Sequence, residues 1–281
     1  MRHPDKWRET VDPFSLGFHT FRLKEVLGYP HAGNDVFQVR GVYQEAETEA
    51  YIKSARHREA DLRREATLLL QLSMPEVPRL LDHDEDGGWL VTEAKEGKRL
   101  SMIVGDNADG RSMAYLAEYG EMLARLHGLQ GAFPAAPHRR FMDVPDEAHC
   151  QRDQLDDVQA WLLAHRMEPE ATCFCHGDFH YGNVLWQGGH ISGVLDLELA
   201  GWGDREFDIA WALIRRPGQK FMATQAEEQQ FLAGYRRRAA YDPQRLHWYM
   251  INAYAWFYGM DAKDEAYRSW VKEWLQRAIR K

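Results

Sequence analysis

The sequence predicts an α+β protein with a small strand-rich N-terminal part and a larger helical C-terminal part. The first ninety residues contain five strand-like segments and one helix, whereas amphipathic helical segments dominate from Ala114 onward. The composition changes between Ala94 and Gly97, which predicts domains of residues 1–94 and 95–281. With 281 residues, of which 44% are hydrophobic and 12% aromatic, the chain can bury a sizeable core.

The N-terminal elements follow from alternating apolar residues and from turn residues. Strands are predicted at 21–27, 36–42, 50–53, 77–81 and 88–94. The segment 57–72 has apolar residues at helical spacing among strong helix formers, and Pro75 ends it. The expected order is therefore five strands with one helix after the third.

The C-terminal elements surround one polar loop. Amphipathic helices are predicted at 114–129, 153–166, 227–239 and 244–260. Residues 176–183, HGDFHYGN, form a glycine-punctuated polar stretch that is typical of a loop. Gly188 and Gly189 are expected to close a hairpin between short strands at 184–186 and 190–196.

Charge and hydropathy exclude several classes of function. The net charge of −8 and the lack of a basic stripe argue against nucleic-acid binding, which needs clustered Lys and Arg. No run of about 18 apolar residues indicates a membrane span, and the first residues lack an apolar signal core. We therefore expect a cytoplasmic protein that acts on a small molecule, while the oligomeric state stays open.

The three cysteines do not predict a disulfide framework. Cys150, Cys173 and Cys175 are odd in number, and the last two would share one face of an extended segment. Buried, reduced thiols are expected. A zinc site would need two more ligands, and the nearest, His176, belongs to the polar loop.

Three polar residues have the spacing of a phosphoryl-transfer site. Asn183 follows Asp178 by five residues, and Asp196 follows thirteen residues later. Such a site needs one carboxylate for the acceptor hydroxyl, and an amide oxygen and a second carboxylate for Mg²⁺. Asp178, Asn183 and Asp196 fit these roles in that order; the alternative is a polar loop with incidental acids.

The histidines of this loop permit a second interpretation. The Asp178–His180 pair matches the Asp-x-His of metal-dependent phosphoesterases, but that class needs a later Gly-Asn-His, and Asn183 is followed by Val184. We therefore expect His176 to make structural hydrogen bonds within the loop. His180 is expected to contact a phosphate or the substrate.

The chain resembles the aminoglycoside phosphotransferase family, small-molecule kinases with a bilobal protein-kinase-like fold. Five segments recur in family order: AYIK, RREATLLLQL, VPRLLDHDEDGGWLVTEAKEGKRL, HGDFHYGN and SGVLDLELAGWGDREFDIA. The resemblance covers most of the chain. It implies an N-terminal lobe with a five-stranded antiparallel sheet and one helix, a larger helical C-terminal lobe, and Mg²⁺-dependent transfer of phosphate from ATP, or GTP, to a hydroxyl. A choline-type or sugar kinase and a catalytically silent binding module remain alternatives.

The resemblance also implies roles for residues outside the loop. Lys53 would bind the nucleotide phosphates, steadied by Glu65, although each could be an ordinary surface residue. Asp208 would open a helix and brace the catalytic loop through hydrogen bonds, a position that also suits a helix N-cap.

The resemblance implies three further groups of residues that contact the nucleotide. The main chain of Glu93 and Ala94 would make two hydrogen bonds to the adenine edge. Tyr51 shares a strand face with Lys53 and would either stack on the base or lie in the core. The turn GYPHAGND, with Gly28, Gly33 and Asn34, would cover the phosphates by backbone amides, although an ordinary hairpin turn has the same pattern.

The acceptor site departs from the family. Relatives that modify aminoglycosides bind them with acids near the C-terminus, but this chain ends WLQRAIRK and has four neutral residues where an acidic wall is expected: Asn252, Tyr254, Trp256 and Tyr258. We expect aminoglycosides to bind no better than about millimolar. Acids that could still serve a cationic acceptor are Asp143, Asp146, Glu147, Asp153, Asp156, Asp157 and Asp261. Macrolides, amino alcohols such as choline, and sugars stay open as acceptors.

Overall fold

A computed structural model describes residues 9–30, 33–56, 62–259 and 264–280. The chain divides into two compact units. Unit 1 comprises Met1–Gly97, Leu185–Gln187 and Ser192–Glu198, and unit 2 comprises Lys98–Val184, Gly188–Ile191 and Leu199–Lys281. The predicted division of function between residues 1–94 and 95–281 stays a prediction.

Unit 1 is built on a five-stranded antiparallel sheet, which confirms the prediction. Its strands are β1 (Phe21–Gly28), β2 (Asp35–Tyr43), β3 (Ala46–Ser54), β4 (Leu80–His83) and β5 (Trp89–Glu93), in the order β1-β2-β3-β5-β4. Helix α1 (Arg63–Gln71) follows β3. Residues 57–61, the first part of the predicted helix, lie outside the described residues.

Alternation along β3 gives the sheet two chemically different faces. Ala50 and Ile52 are buried in an apolar cluster with Phe37 and other residues of the neighbouring strands. Successive side chains of a strand point to opposite faces, so Lys53 lies on the other side of the sheet. The apolar cluster is thus separated from the face that carries Lys53.

Unit 2 is mainly helical, as predicted. Its elements are β6 (Lys98–Arg99), α2 (Leu100–Val104), α3 (Met113–His127), α4 (Glu147–Asp153), α5 (Asp156–Ala164), β7 (Ala171–Cys175), β10 (Gly201–Asp204), α6 (Arg205–Leu213), α7 (Gln225–Arg236), α8 (Pro243–Tyr258) and α9 (Glu265–Ala278). Among the described residues, none of the helices has both the length and the apolarity to cross a membrane.

The predicted hairpin and polar loop are both present. Strands β8 (Val184–Gln187) and β9 (His190–Val194) are joined by Gly188 and Gly189, whose φ angles of +59° and +88° suit glycine. The loop 176–183 runs from the end of β7 to the start of β8. Strand β10 pairs with β7 and leads directly into α6, so the loop and α6 start from neighbouring strands.

Helices α3 and α7 approach each other closely through two glycines. A Cβ atom on Gly120 would lie 2.0 Å from the Phe231 carbonyl oxygen, and one on Gly234 would lie 1.8 Å from the Ala117 carbonyl oxygen. Both distances are far shorter than a van der Waals contact. The backbones themselves are therefore in contact, and no side chain fits between them.

We expect Gly234→Ala to lower the free energy of unfolding by about 1–3 kcal/mol, because the methyl group meets rigid backbone. Gly128→Ala is the matched control, since Gly128 has helical φ and ψ of −82° and −5° and a Cβ there would lie 3.5 Å from its nearest neighbours. The control should be neutral or slightly stabilising. Urea unfolding measures both; equal stability of the two variants would show that α3 and α7 are not in backbone contact.

Candidate active site

Lys53 lies among three carboxylates, all within unit 1. Its ammonium Nζ is 2.8 Å from Glu65 Oε2, 2.6 Å from Asp196 Oδ1 and 3.1 Å from Glu198 Oε2. Strand β3 supplies the lysine, α1 supplies Glu65, and the segment after β9 supplies the other two. The second oxygen of Glu65 accepts a hydrogen bond from the Leu197 N–H at 3.1 Å, which fixes that segment.

Charge in this cluster is unbalanced. Burial lowers the pKa of Lys53, but Glu65, Asp196 and Glu198 raise it more, so it lies well above its usual value. Burial, opposed by Lys53, raises the pKa of Glu65. With all four groups ionised, one ammonium faces three carboxylates and the net charge is −2.

A divalent cation fits this donor set. Oxygens of Glu65, Asp196 and Glu198 lie within 4.8 Å of one another, and hard cations such as Mg²⁺ prefer carboxylate oxygens. Asp196, with 38% of its side chain exposed, is the most accessible of the three. Its φ of +66° is unusual for a non-glycine residue and is typical of functional sites.

The side chain of Asn34, in the turn before β2, makes hydrogen bonds within the protein. Asn34 is buried; its amide Nδ2 donates to Glu198 Oε2 at 3.0 Å and its Oδ1 accepts from the Arg56 N–H at 3.4 Å. Its side chain supports the carboxylate cluster, and a phosphate contact through its backbone amide stays a prediction. Gly33, with φ of +98°, has open space around its Cα, and its phosphate contact stays a prediction.

The expected adenine contacts stay a prediction, and hydrogen bonds within the chain limit which groups can make them. The Glu93 N–H donates to the Arg79 carbonyl oxygen and the Ala94 N–H donates to the Glu49 carbonyl oxygen, each at 3.0 Å. Only carbonyl oxygens of Glu93 and Ala94 are therefore candidates for the base, and its acceptor nitrogen needs an N–H from elsewhere. Tyr51 is half-buried on the sheet face opposite the apolar cluster, and its stacking on the base stays a prediction.

The polar loop of unit 2 is fixed by a buried carboxylate. Asp208, fully buried in α6, accepts hydrogen bonds from the N–H groups of His176 and Gly177 at 2.7 and 3.0 Å. Its Oδ2 also lies 3.2 Å from His127 Nε2. Asp204, not Asp208, caps the helix, because its side chain accepts from the N–H groups of the first turn.

Asp178 is oriented by several neighbours. Trp211 donates its indole N–H to Asp178 Oδ1 at 2.6 Å, and Asn183 Nδ2 donates to the Asp178 carbonyl oxygen at 3.1 Å and to Oδ2 at 3.3 Å. Nε2 of His180 lies 3.5 Å from Oδ2, and Nη1 of Arg139 lies 3.5 Å from Oδ1. The two motif residues Asp178 and Asn183 are thus brought together.

Electrostatics keep Asp178 ionised. Burial raises the pKa of its carboxyl, but the hydrogen bond with His180 and the charges of Arg139 and Arg216 lower it more, to well below the usual aspartate value. His176 accepts the Asp178 N–H at its Nδ1 at 3.2 Å, a structural hydrogen bond within the loop.

Residues that sequence reasoning missed include Arg139, Glu198, Trp211 and Arg216. Glu198 and Trp211 lie two and three positions from Asp196 and Asp208, so spacing on their own elements could have suggested them. Arg139 lies in an irregular segment between α3 and α4, where periodicity carries no signal.

The residues predicted to replace an acidic wall are mostly not available to a ligand. Asn252 and Tyr254 are fully buried in α8. Asn252 Nδ2 donates to the carbonyl oxygens of Phe141 and Asp143, and the Tyr254 hydroxyl accepts from the Arg215 N–H. Tyr258 is also buried, and Trp256 donates its indole N–H to the Asp143 carbonyl oxygen at 2.8 Å. Asp261 lies outside the described residues.

Two cysteines of β7 form a buried cluster with His127. The Sγ atoms of Cys173 and Cys175 are 3.7 Å apart, and a ring nitrogen of His127 lies within 4.8 Å of both. A hydrogen bond from Cys175, opposed by burial and helped by His127, lowers the pKa of Cys173 to about 5. Burial lowers the pKa of His127, but Asp208 and Cys173 raise it to about 9. We infer a thiolate–imidazolium pair beside the carboxylate that fixes the loop.

Comparison with known proteins identifies the family. Residues 29–249 match the phosphotransferase enzyme family. Aminoglycoside 3'-phosphotransferases from Streptomyces fradiae and Niallia circulans are 32% and 29% identical to this chain over 158 and 168 residues. These alignments cover 48% and 53% of this chain, and 57% and 62% of the relatives, so less than two thirds of either relative is matched.

Solved structures share the fold. A thermostable mutant of an aminoglycoside phosphotransferase, in a ternary complex with ADP and hygromycin B, aligns with a TM-score of 0.56 at 18% identity over 94% of both chains. A choline/ethanolamine kinase family protein from Mesorhizobium loti aligns with a TM-score of 0.54 at 18% identity, over 95% of this chain and 88% of that chain. The chain belongs to the phosphotransferase enzyme family and has its protein-kinase-like fold, which confirms the resemblance inferred from sequence.

The Cys173–His127 pair predicts one thiolate in the native protein at about pH 7, where a free thiol of pKa about 8.5 is mostly protonated. Acid titration of thiolate ultraviolet absorbance should show it disappearing well below the ordinary thiol pKa. Cys173→Ser should abolish this signal. Cys150→Ser is the control, since burial raises the pKa of Cys150 to about 11 and no thiolate is expected there. An unchanged signal in Cys173→Ser would disprove the assignment.

Proposed function

We propose that this protein is an ATP-dependent small-molecule kinase that transfers the terminal phosphoryl group to a substrate hydroxyl. The observation that supports this most strongly is the buried Lys53 ammonium held by Glu65 and touching Asp196. A kinase needs this combination, because a fixed ammonium and a metal-binding carboxylate must both be in place around the nucleotide phosphates.

Lys53 has the role of neutralising charge on the phosphates. Glu65 holds the ammonium, so little reorganisation is needed when a nucleotide binds. Asp196 and Asn183 are the proposed Mg²⁺ ligands, and Glu198 adds negative charge that favours a divalent cation. When bound, Mg²⁺ would supply positive charge that lowers the cost of the charge developing during transfer.

Asp178 has the role of receiving the acceptor hydroxyl. Its carboxylate is held by Trp211 and Asn183, so a hydroxyl that donates to it is held in one orientation. Because the pKa of Asp178 is low, it is a weak base. We infer that it mainly orients the hydroxyl and accepts the proton late, when the new oxygen–phosphorus bond is largely formed.

Asp178→Ala should lower phosphoryl transfer by about 10²- to 10⁴-fold while nucleotide affinity stays nearly unchanged, because Asp178 addresses the acceptor. The control is Asp109→Ala, which removes an exposed aspartate that pairs with Arg111. The assay follows acceptor-dependent ADP formation, and mass spectrometry identifies the phosphorylated product, over antibiotics, amino alcohols, sugars and hydroxy acids. Full turnover in Asp178→Ala with any acceptor would refute the assignment.

Asp196→Ala should weaken magnesium-dependent nucleotide binding about tenfold or more, or at least 1.4 kcal/mol, because a proposed metal ligand is lost. Calorimetric titration with ATP, in the presence and absence of Mg²⁺, measures the effect. Asp86→Ala, an exposed acid in the turn between β4 and β5, is the matched control. If both variants bind ATP and Mg²⁺ like the parent, Asp196 does not bind the metal.

A further inference from the structure

Arg139 lies in an irregular loop and contacts Asp178. Nη1 of its guanidinium donates to the Gly177 carbonyl oxygen and lies 3.5 Å from Asp178 Oδ1. The guanidinium carbon lies 4.0 Å from the ring centre of Trp211, whose indole N–H binds the same Asp178 oxygen. Nη1 makes both of these polar contacts. Within the described part of the chain, the Nε and Nη2 groups have no hydrogen-bond acceptor.

The loop that carries Arg139 is held firmly in place. Asn252 donates to the carbonyl oxygens of Phe141 and Asp143 at 2.8 and 3.1 Å, and Trp256 donates to the Asp143 carbonyl oxygen. These donors come from α8, a long buried helix. The guanidinium is therefore preorganised, and only 13% of its side chain is exposed.

A second guanidinium group lies nearby. Arg216 donates to the carbonyl oxygens of Trp211 and Ile214 at 2.9 and 3.3 Å, and its guanidinium carbon lies 5.0 Å from the Trp211 ring centre. Burial lowers the pKa of both arginines, and their charges oppose each other. Asp178 is one carboxylate facing two guanidinium groups. Asp208, the other acid nearby, already accepts from two loop N–H groups.

The acids that the sequence offered for a cationic acceptor have other partners or lie in exposed positions. Asp143 pairs with His138 at 2.7 Å, and Asp153 pairs with Arg152 at 2.7 Å. Asp146 caps α4 by accepting the His149 N–H. Glu147 accepts from Gln151, and Asp156 and Asp157 lie on the exposed first turn of α5. Around Asp178, two guanidinium groups and two carboxylates, Asp178 and Asp208, offset each other in formal charge, so the site lacks the excess of negative charge that a polyamine acceptor requires.

We propose that the acceptor carries an oxyanion, a carboxylate or a phosphate, close to the hydroxyl that is phosphorylated, and that Arg139 binds this group. This proposal rests on the kinase function proposed above. Arginine suits the task because its planar fork pairs with a carboxylate or a phosphate in two parallel hydrogen bonds. Small hydroxy acids and sugars that bear a carboxylate or a phosphate are the substrate class.

Matched acceptors test the charge preference. With saturating Mg²⁺ and ATP, kcat/KM is measured for D-gluconate against D-glucitol, for glycerate against glycerol, and for glucose 6-phosphate against glucose. The anionic member of at least one pair should exceed its neutral partner about 10- to 100-fold, the range expected for a hydrogen-bonded charge. The pair that responds distinguishes a carboxylate from a phosphate. Preference for the neutral members, or micromolar binding of kanamycin, would overturn the proposal.

Variants of the loop show whether Arg139 binds the oxyanion of the acceptor or only holds Asp178 in place. Arg139→Gln should reduce the anionic-to-neutral ratio of kcat/KM toward unity, and Arg139→Lys should retain part of it. Arg140→Gln is the control, because it removes the same charge from the same loop but Arg140 is exposed and stacks on Phe141 and Trp256. A structural role of Arg139 would lower kcat/KM for both members equally. An unchanged ratio would therefore overturn the proposal.

The terminal phosphate of ATP is the competing anion. If Arg139 binds it, Arg139→Gln will weaken a non-hydrolysable ATP analogue relative to ADP and leave the acceptor ratio unchanged, which contradicts the proposal. If no acceptor is phosphorylated, the same pairs are titrated by calorimetry into the ADP-bound protein, and equal affinities within every pair overturn it. Failure to bind ATP refutes the kinase function instead. The affinities of the acceptor pairs are then measured by calorimetry in the nucleotide-free protein.

Discussion

The buried ammonium of Lys53 is the constraint on which unit 1 depends. It joins β3, α1 and the segment after β9, which are distant in sequence, through Glu65, Asp196 and Glu198. Glu65 is buried beside the ammonium whereas Asp196 and Glu198 are partly exposed, so Glu65 is the partner whose removal would cost the most stability. The same cluster has an excess of two negative charges, so the arrangement that holds the unit together also favours a divalent cation.

In unit 2, a buried carboxylate rather than a buried ammonium holds separate parts of the chain together. The Asp208 carboxylate fixes the backbone of the loop by accepting hydrogen bonds from the N–H groups of His176 and Gly177. Asp178 then follows in the loop with its orientation determined by Trp211 and Asn183. Catalysis of phosphoryl transfer rests on placement more than on covalent chemistry, and both devices supply placement.

Local patterns predicted the parts of the fold that they govern. Alternation predicted the sheet, and the Gly188-Gly189 pair predicted the hairpin, because both are determined by a few neighbouring residues. The short helices α2 and α4 and the terminal α9 were not predicted; the first two are too short for periodicity to be read. Long-range contacts were equally inaccessible. No spacing rule shows that Asn34 supports Glu198, that the Glu93 N–H is already used, or that Arg139 reaches Asp178.

In the proposed function, Asp196 binds the metal of a nucleotide complex while Lys53 stays paired with Glu65. Crystals grown with a non-hydrolysable ATP analogue and Mn²⁺, which substitutes for Mg²⁺ and gives an anomalous signal, test it directly. We expect an anomalous peak about 2.1 Å from an Asp196 carboxylate oxygen, with the Lys53–Glu65 contact still at hydrogen-bond distance. Bound nucleotide with the Mn²⁺ peak away from Asp196, or with Lys53 released from Glu65, would contradict it.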